Sequence, residues 1–242
     1  GAEDRFFLCG SDVVKPPPPS ATDYCSTDSV YVITDVTIPG SCSNRFTRIL
    51  TYGAQDTCGN VSPPYVQTIV VNDTVPPYAD PLPTIGPLAC YGLIPPPNVN
   101  DVTGEADNCF GAPVTVTWVS DSPNPGCSGT VTRIYRLVDA CGNDSLIAQQ
   151  ILINDNVPPT ANPLPTQFFS CGSQIPPPNV ADVTGEADNC GGPVNVQFVS
   201  DTGNPGCMGT VTRTYSLTDV CGNTANILQL FNINDTVPPM AT

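Results

Sequence analysis

Histidine is absent from the 242 residues, and only seven lysines and arginines stand against 22 aspartates and glutamates. Without an imidazole there is no base for a Ser-His-Asp triad and no nitrogen ligand for zinc. A net charge of −15 lacks the clustered cations that nucleic acid or an anionic membrane surface requires. No apolar run approaches the roughly 18 residues of a membrane-spanning helix. Helix-period patterning, a Gly-rich phosphate loop and a Gly-x-Ser-x-Gly elbow are missing as well. None of the cysteines forms the close Cys-x-x-Cys pair of a structural zinc knuckle. Gly1 opens the chain without a secretory signal pattern, as expected of a processed chain or an excerpt of a longer one.

What is present is repetition. Ile94–Cys109 returns almost letter for letter as Ile175–Cys190, and Val131-Thr-Arg-Ile-Tyr135 as Val211-Thr-Arg-Thr-Tyr215. Asp139-Ala-Cys-Gly-Asn143 returns as Asp219-Val-Cys-Gly-Asn223, and the diverged first copy keeps Thr47-Arg48 and Asp56-Thr-Cys-Gly-Asn60. Three strand-like runs end in Asn72-Asp-Thr-Val-Pro-Pro77, Asn154-Asp-Asn-Val-Pro-Pro159 and Asn234-Asp-Thr-Val-Pro-Pro239. Paired prolines fix φ and supply no N–H, so no sheet ladder runs through them. The expected domains are therefore 1–77, 78–159 and 160–242, each of about 80 residues.

The 12 cysteines fall four to a repeat, at 9, 25, 42 and 58, at 90, 109, 127 and 141, and at 171, 190, 207 and 221. Even, repeated spacing of this kind indicates disulfides and an oxidising, extracytoplasmic compartment. Four cysteines allow three pairings in each repeat.

The fold class is all-β. Val114, Val116 and Trp118 alternate on one face, as do Val194, Val196 and Phe198. Val131, Arg133, Tyr135 and Leu137 share a face of the following strand, and Ile147–Ile153 runs into the linker. Short strands punctuated by Gly-Pro turns suit a tandem array of three immunoglobulin-like β-sandwiches. A repeat this small buries a thin core, so covalent cross-links make physical sense. Arg48, Arg133 and Arg213 recur on the apolar face, where each is expected to pair with a carboxylate. Gln67, Gln149 and Gln229 are expected to give their amides to a backbone edge, and Trp118 to sit in the core.

Taken in order, Asp-Asn-Cys, Pro-Gly-Cys, Thr-Arg-x-Tyr, Asp-x-Cys-Gly-Asn, Gln and Asn-Asp-Thr-x-Pro-Pro resemble the hyalin-repeat-like (HYR-like) modules. Such modules occur in long secreted surface adhesins of gliding Bacteroidota. Repeats two and three match throughout; the first has Thr22-Asp-Tyr-Cys25 for Asp-Asn-Cys and two extra residues after Arg48. The resemblance implies an immunoglobulin-like fold and a stalk or adhesin role. Asn154-Asp-Asn-Val-Pro158 also resembles the calcium linker of cadherins, although the repeat length and cysteine content do not. In an immunoglobulin-like sandwich the Asp-Asn-Cys loop and Cys-Gly-Asn turn share one end. On that basis the expected disulfides are Cys109–Cys141, Cys190–Cys221, Cys90–Cys127, Cys171–Cys207, Cys25–Cys58 and Cys9–Cys42. The resemblance further suggests O-glycosylation where Asp-Ser/Thr precedes an aliphatic residue, at Ser29, Thr74, Ser145 and Thr236.

Carboxylates group in the linker, the Asp-Asn-Cys loop and the Asp-x-Cys-Gly-Asn turn. Ca²⁺ takes about six to eight oxygen ligands, which Asp73, Asp107, Asp139 and Asn143 would begin to supply at one junction. Asp155, Asp188, Asp219 and Asn223 would do so at the next. The competing reading is that these residues form Asx turns beside glycine. Asp101/Glu105 has the form of a glycosidase pair, but its copy Asp182/Glu186 argues against an active site, and no enzyme is expected. The function expected is a non-enzymatic structural or adhesive extracellular repeat, with a carbohydrate-binding or spacer module of a secreted enzyme as the alternative. The expected partners are neighbouring copies of the same repeat or subunit, with surface polysaccharide as a candidate and neither nucleic acid nor membrane insertion.

Overall fold

The alternating runs form strands. The structure, a computed structural model, describes residues 3–14, 17–24, 28–111 and 113–240. Ile85–Leu88 (β5), Thr115–Asp121 (β6), Ser128–Val138 (β7) and Asp144–Asn154 (β8) form a sheet in the order β5-β8-β7-β6. Gln167–Phe169 (β9), Asn195–Asp201 (β10), Met208–Thr218 (β11) and Thr224–Asn234 (β12) repeat that plan as β10-β11-β12-β9. Arg5–Phe7 (β1), Asp28–Pro39 (β2), Arg45–Asp56 (β3) and Tyr65–Asn72 (β4) give β1-β4-β3-β2. In each sheet the short first strand pairs parallel to the last, as Arg5 does with Ile69 and Gln167 with Phe231. The described residues hold only strands and short 3-10 turns, so the chain is all-β as expected. Opposite the sheets, the segment after each linker makes a single antiparallel bridge, Tyr78 with Ala106 and Thr160 with Ala187.

Alternation decides what is buried. Val131, Arg133, Tyr135 and Leu137 on β7 are all inside, and Val211, Arg213, Tyr215 and Leu217 repeat this on β11. Ile151 and Ile153 pack on Val131, while Phe231 and Ile233 pack on Val211. Leu50, Tyr52 and Ile69 form the counterpart in the first repeat. Two buried tyrosines satisfy their hydroxyls on a neighbouring segment: Tyr135 Oη donates to Asn98 O and Tyr215 Oη to Asn179 O, at 3.3 and 3.2 Å, whereas the buried Tyr52 Oη has no partner.

The arginines are paired. Asp121 accepts from Arg133 Nε and Nη2 at 2.9 and 2.8 Å, and Asp201 accepts from Arg213 at 2.8 Å through both oxygens. A bulge makes this possible. Trp118 faces Tyr135 and Asp121 faces Arg133, with a register shift between Trp118 and Ser120. Side chains three apart would normally point to opposite faces; the extra residue Val119 puts both on the same one. Phe198, Val199 and Asp201 repeat the arrangement. In the first repeat Asp35 faces Leu50, and Arg48 stands two residues further along, so it reaches Asp35 diagonally at 2.6 Å and stays 28 % exposed. The two extra residues after Arg48 account for that displacement.

Two expectations about single side chains resolve differently. Gln67 and Gln149 do give their amides to backbone carbonyls, Glu3 O at 3.0 Å and Pro83 O at 3.2 Å. Trp118 is not in the core. It lies 48 % exposed on the edge strand β6, where its Nε1 donates to Asp121 Oδ1 at 3.1 Å and braces the ion pair.

The chain divides into two compact units. The first comprises residues 1–83, 97–121 and 132–149; the second comprises 84–96, 122–131 and 150–242. Each unit contains two of the four disulfides among the described residues.

Candidate metal centres at the repeat junctions

Each linker aspartate is fixed by the residue that leads into the neighbouring strand, β3 or β7. Asp73 N donates to Asn44 O at 3.0 Å, and Asp155 N to Cys127 O at 2.8 Å. Asp73 Oδ1 then accepts Val75 N at 3.2 Å, and Asp155 Oδ1 accepts Val157 N at 3.2 Å, turning the chain into the prolines. Past the prolines, Tyr78 and Ala106 exchange two 2.9 Å backbone bonds in the first unit. Thr160 and Ala187 do the same in the second, at 2.8 and 2.9 Å. These bridges deliver the Asp-Asn-Cys loop to the linker. Carboxylate oxygens of Asp73 and Asp107 and the Cys109 sulfur lie within 4.8 Å of one another, as do those of Asp155, Asp188 and Cys190.

Both clusters contain carboxylate oxygens without a hydrogen-bond partner. Asp107 Oδ2 accepts Cys109 N at 3.0 Å and Asp188 Oδ2 accepts Cys190 N at 2.8 Å. Asp107 Oδ1, Asp188 Oδ1 and Asp155 Oδ2 are buried and accept nothing. Asp73 is 1 % exposed. Burial pushes its carboxyl above the usual range, the Val75 N–H works against this, and the charges of Asp107 and Asp139 push it further up. Buried, mutually repelling oxygens with spare lone pairs are the donors a hard cation takes. The sulfurs contribute nothing comparable, because both cysteines are in disulfides.

The Asp-x-Cys-Gly-Asn residues have a different role. Asp139 Oδ1 accepts Cys141 N and Asn143 N at 2.8 Å each, and its Oδ2 accepts Asn143 Nδ2 at 2.8 Å. Asp219 does the same with Cys221 and Asn223. Burial opposes ionisation of Asp219, yet the Asn223 side chain and the turn amides outweigh it and hold the carboxyl below its usual range. Gly142, at φ +87°, supplies the left-handed residue the turn needs. The asparagine then reaches across: Asn143 Nδ2 donates to Asp73 O at 3.3 Å, and Asn223 Nδ2 to Asp155 O at 3.4 Å. Of the eight expected metal ligands, the structure therefore clusters Asp73 with Asp107 and Asp155 with Asp188. Asp139, Asn143, Asp219 and Asn223 build the turns that clasp the linker. Asp101 and Asp182 also belong to turns, accepting Asn98 Nδ2 and Asn179 Nδ2 at 2.9 and 3.0 Å.

The expected disulfide pairings are overturned. The bonds are Cys9–Cys109, Cys42–Cys141, Cys90–Cys190 and Cys127–Cys221, with Cα–Cα distances of 5.1 to 5.3 Å. The first cysteine of a repeat joins the second of the next, and the third joins the fourth of the next. The Asp-Asn-Cys loop and Cys-Gly-Asn turn do gather at one end, beside the linker. What faces them there is the preceding repeat, so Cys109 and Cys141 bond to Cys9 and Cys42 instead of to each other. Cys58, Cys171 and Cys207 are exposed and unpaired, which also removes Cys171–Cys207, while the expected Cys25–Cys58 bond involves Cys25, which lies outside the described residues. Sequence reasoning also missed the asparagine beside two of these bonds: Asn108 Nδ2 lies 3.0 Å from Cys9 Sγ, and Asn189 Nδ2 lies 3.2 Å from Cys90 Sγ.

The expected glycosylation positions differ in access. Thr74, Thr236 and Ser29 are exposed, whereas the half-buried Ser145 donates its hydroxyl to Pro77 O.

No curated protein is significantly similar to the chain in sequence. Among solved structures, the protocadherin gamma B4 extracellular domain is similar at 12 % identity and a TM-score of 0.33, over 86 % of this chain and 45 % of that one. This chain thus spans under half of that protein. Human CDH23 EC21-23 gives 14 % identity and a TM-score of 0.31, over 84 % of this chain and 88 % of that one. Drosophila N-cadherin EC1-3 gives 11 % and 0.32, over 96 % and 98 %. Residues 159–233, which hold Cys171, Cys190, Cys207 and Cys221, match the family of HYR-like domains with 4 cysteines.

Proposed function

We propose that the chain is a non-catalytic structural or adhesive array, exported to an oxidising compartment, in which disulfides bind each repeat to the next. The observation that carries this reading is the connectivity. Among the described residues all four bonds join one repeat to its successor, and none closes a loop inside a repeat. A bond inside a repeat would stabilise that repeat alone. A bond between repeats keeps load on covalent links even where a linker gives way, which suits a cell-surface stalk or filament. The HYR-like match of residues 159–233 supports an extracellular module of this class.

A divalent cation, Ca²⁺ by donor chemistry, belongs between Asp73 and Asp107 and between Asp155 and Asp188. It would neutralise the buried carboxylates, with Asn143 and Asn223 holding each linker in place. Exposed Thr74 and Thr236, beside the prolines, are the positions where attached sugar would shield a linker.

Electron microscopy of native material tests the role. Filaments or a cell-surface fringe are expected; a compact particle containing a catalytic subunit would contradict it.

A further inference from the structure

The two acidic clusters are built alike but are not equally free to take a ligand. In the first, Asp73 Oδ1 accepts Val75 N at 3.2 Å, and the Asn108 side chain, besides meeting Cys9 Sγ, hydrogen-bonds the Asp73 carboxyl. Asp107 Oδ2 accepts Cys109 N, so Asp107 Oδ1 is the buried oxygen left without a partner there. In the second, the matching asparagine keeps to the sulfurs: Asn189 Nδ2 lies 3.2 Å from both Cys90 Sγ and Cys190 Sγ. Asp155 Oδ2 and Asp188 Oδ1 are both buried without a partner, and Asp155 as a whole is only 9 % exposed. Two buried oxygens thus stand free at the second cluster where one does at the first.

Access differs as well. A cavity of about 340 Å³ opens beside the second cluster, and Asp155 and Cys190 belong both to the cluster and to the cavity wall. Its volume lies in the range of small-molecule sites, about 300–1,000 Å³, and leaves room for an entering ion with its water. Two sequence differences shape this wall. Tyr91 follows Cys90 where Gly10 follows Cys9, and Gly191 follows Cys190 where Phe110 follows Cys109. At the first junction Cys9 and Cys109 are each 1 % exposed.

Ca²⁺ takes about six to eight oxygen ligands, and water supplies those the protein does not. The second cluster can bind through Asp155 and Asp188 without breaking a hydrogen bond, while water from the cavity completes the shell. At the first, the Asn108 amide has to leave Asp73. Like-charge crowding is common to both clusters and does not separate them.

We propose that the second junction is the tighter and the exchangeable cation site, an inference that rests on the cation reading above. It fills first, through the cavity, on Asp155 and Asp188. The first junction fills only as the Asn108 amide leaves Asp73. Its affinity is lower by about tenfold or more, the scale of one charge-assisted hydrogen bond given up.

The test takes the oxidised 242-residue chain stripped with EDTA, and follows Ca²⁺ by calorimetry and Tb³⁺ by tyrosine-sensitised luminescence. Two binding steps are expected. Asp188→Asn should remove the tighter step and Asp107→Asn the weaker. Tyr91→Leu should dim the luminescence of the first ions bound while leaving the calcium affinities unchanged, and Asn108→Ala should bring the weaker step towards the tighter one. A cooperative melt in cation-free buffer shows each variant folded. Loss of the tighter step in Asp107→Asn overturns the proposal, as do two steps of equal affinity, first-step luminescence indifferent to Tyr91, or a separation unchanged by Asn108→Ala. Each of these leaves a cation at both junctions standing. No saturable binding of either ion would overturn the cation reading and the proposal with it.

Discussion

Asp121 lies directly across the sheet from Arg133, and one bulged residue, Val119, puts it there. The guanidinium is 1 % exposed and its bidentate carboxylate 18 %. The pairing lowers the Asp121 carboxyl, with the Arg133 hydrogen bond as the main cause. Removing one partner of a buried pair leaves the other charge uncompensated, at about 3 kcal/mol or more.

Asp121→Ala should therefore cost about 3 kcal/mol in urea unfolding. Asp201→Ala, at a site 31 % exposed, should cost less, and Asp35→Ala, at the outermost pair, under about 1 kcal/mol. Deleting Val119 should cost at least as much as Asp121→Ala, because it turns the carboxylate to the other face. Equal costs at the three sites would contradict the burial argument.

Calcium should stabilise the protein and Asp73→Asn should mimic part of that effect. A ligand at about 100 times its dissociation constant adds roughly 2.7 kcal/mol per site. In cation-free buffer, Asp73→Asn should melt at or above the wild-type temperature, since a buried like charge is gone and Val75 N keeps its acceptor. Its response to calcium should be smaller. An equal calcium response in both proteins would exclude Asp73 as a ligand.

The pH dependence has two opposed parts. Asp73 has a folded pKa above 3.8, so its ionisation costs stability, and acidification through that raised value restores it. Asp121 has a folded pKa below 3.8, so its contribution is complete above that value and is lost as pH falls through the lowered one. Cation-free protein should thus gain stability on mild acidification and lose it below about pH 4. In Asp73→Asn the gain should shrink, as melting curves across the range will show.

Gly142→Ala should cost about 1 kcal/mol although its Cβ would meet nothing within 4 Å, because φ there is +87°. Thermal melts would register the loss, and a neutral result would mean the turn relaxes freely.

Period-2 alternation foretold β7 and β11, and an arginine on an apolar face foretold its carboxylate. A bulge such as that at Val119 leaves the letters of an alternating strand intact, so alternation alone puts Trp118 inside. The asparagine four residues after Asp139 and Asp219 is a readable sign that these carboxylates serve a turn, because its N–H and side-chain amide fill them; Asp107 and Asp188 have glycine at that position and each keeps a free oxygen. Connectivity was illegible for a physical reason. Cys109 and Cys141 do approach one end, but spacing within a repeat carries no information about the preceding repeat that meets them there.

Disulfide mapping of the oxidised protein by non-reducing digestion and mass spectrometry tests the central claim most directly. The account predicts cross-linked peptides joining Cys42 to Cys141 and Cys127 to Cys221, with Cys9–Cys109 and Cys90–Cys190 beside them. Peptides joining Cys109 to Cys141, or Cys90 to Cys127, would show each repeat closed on itself and would contradict it.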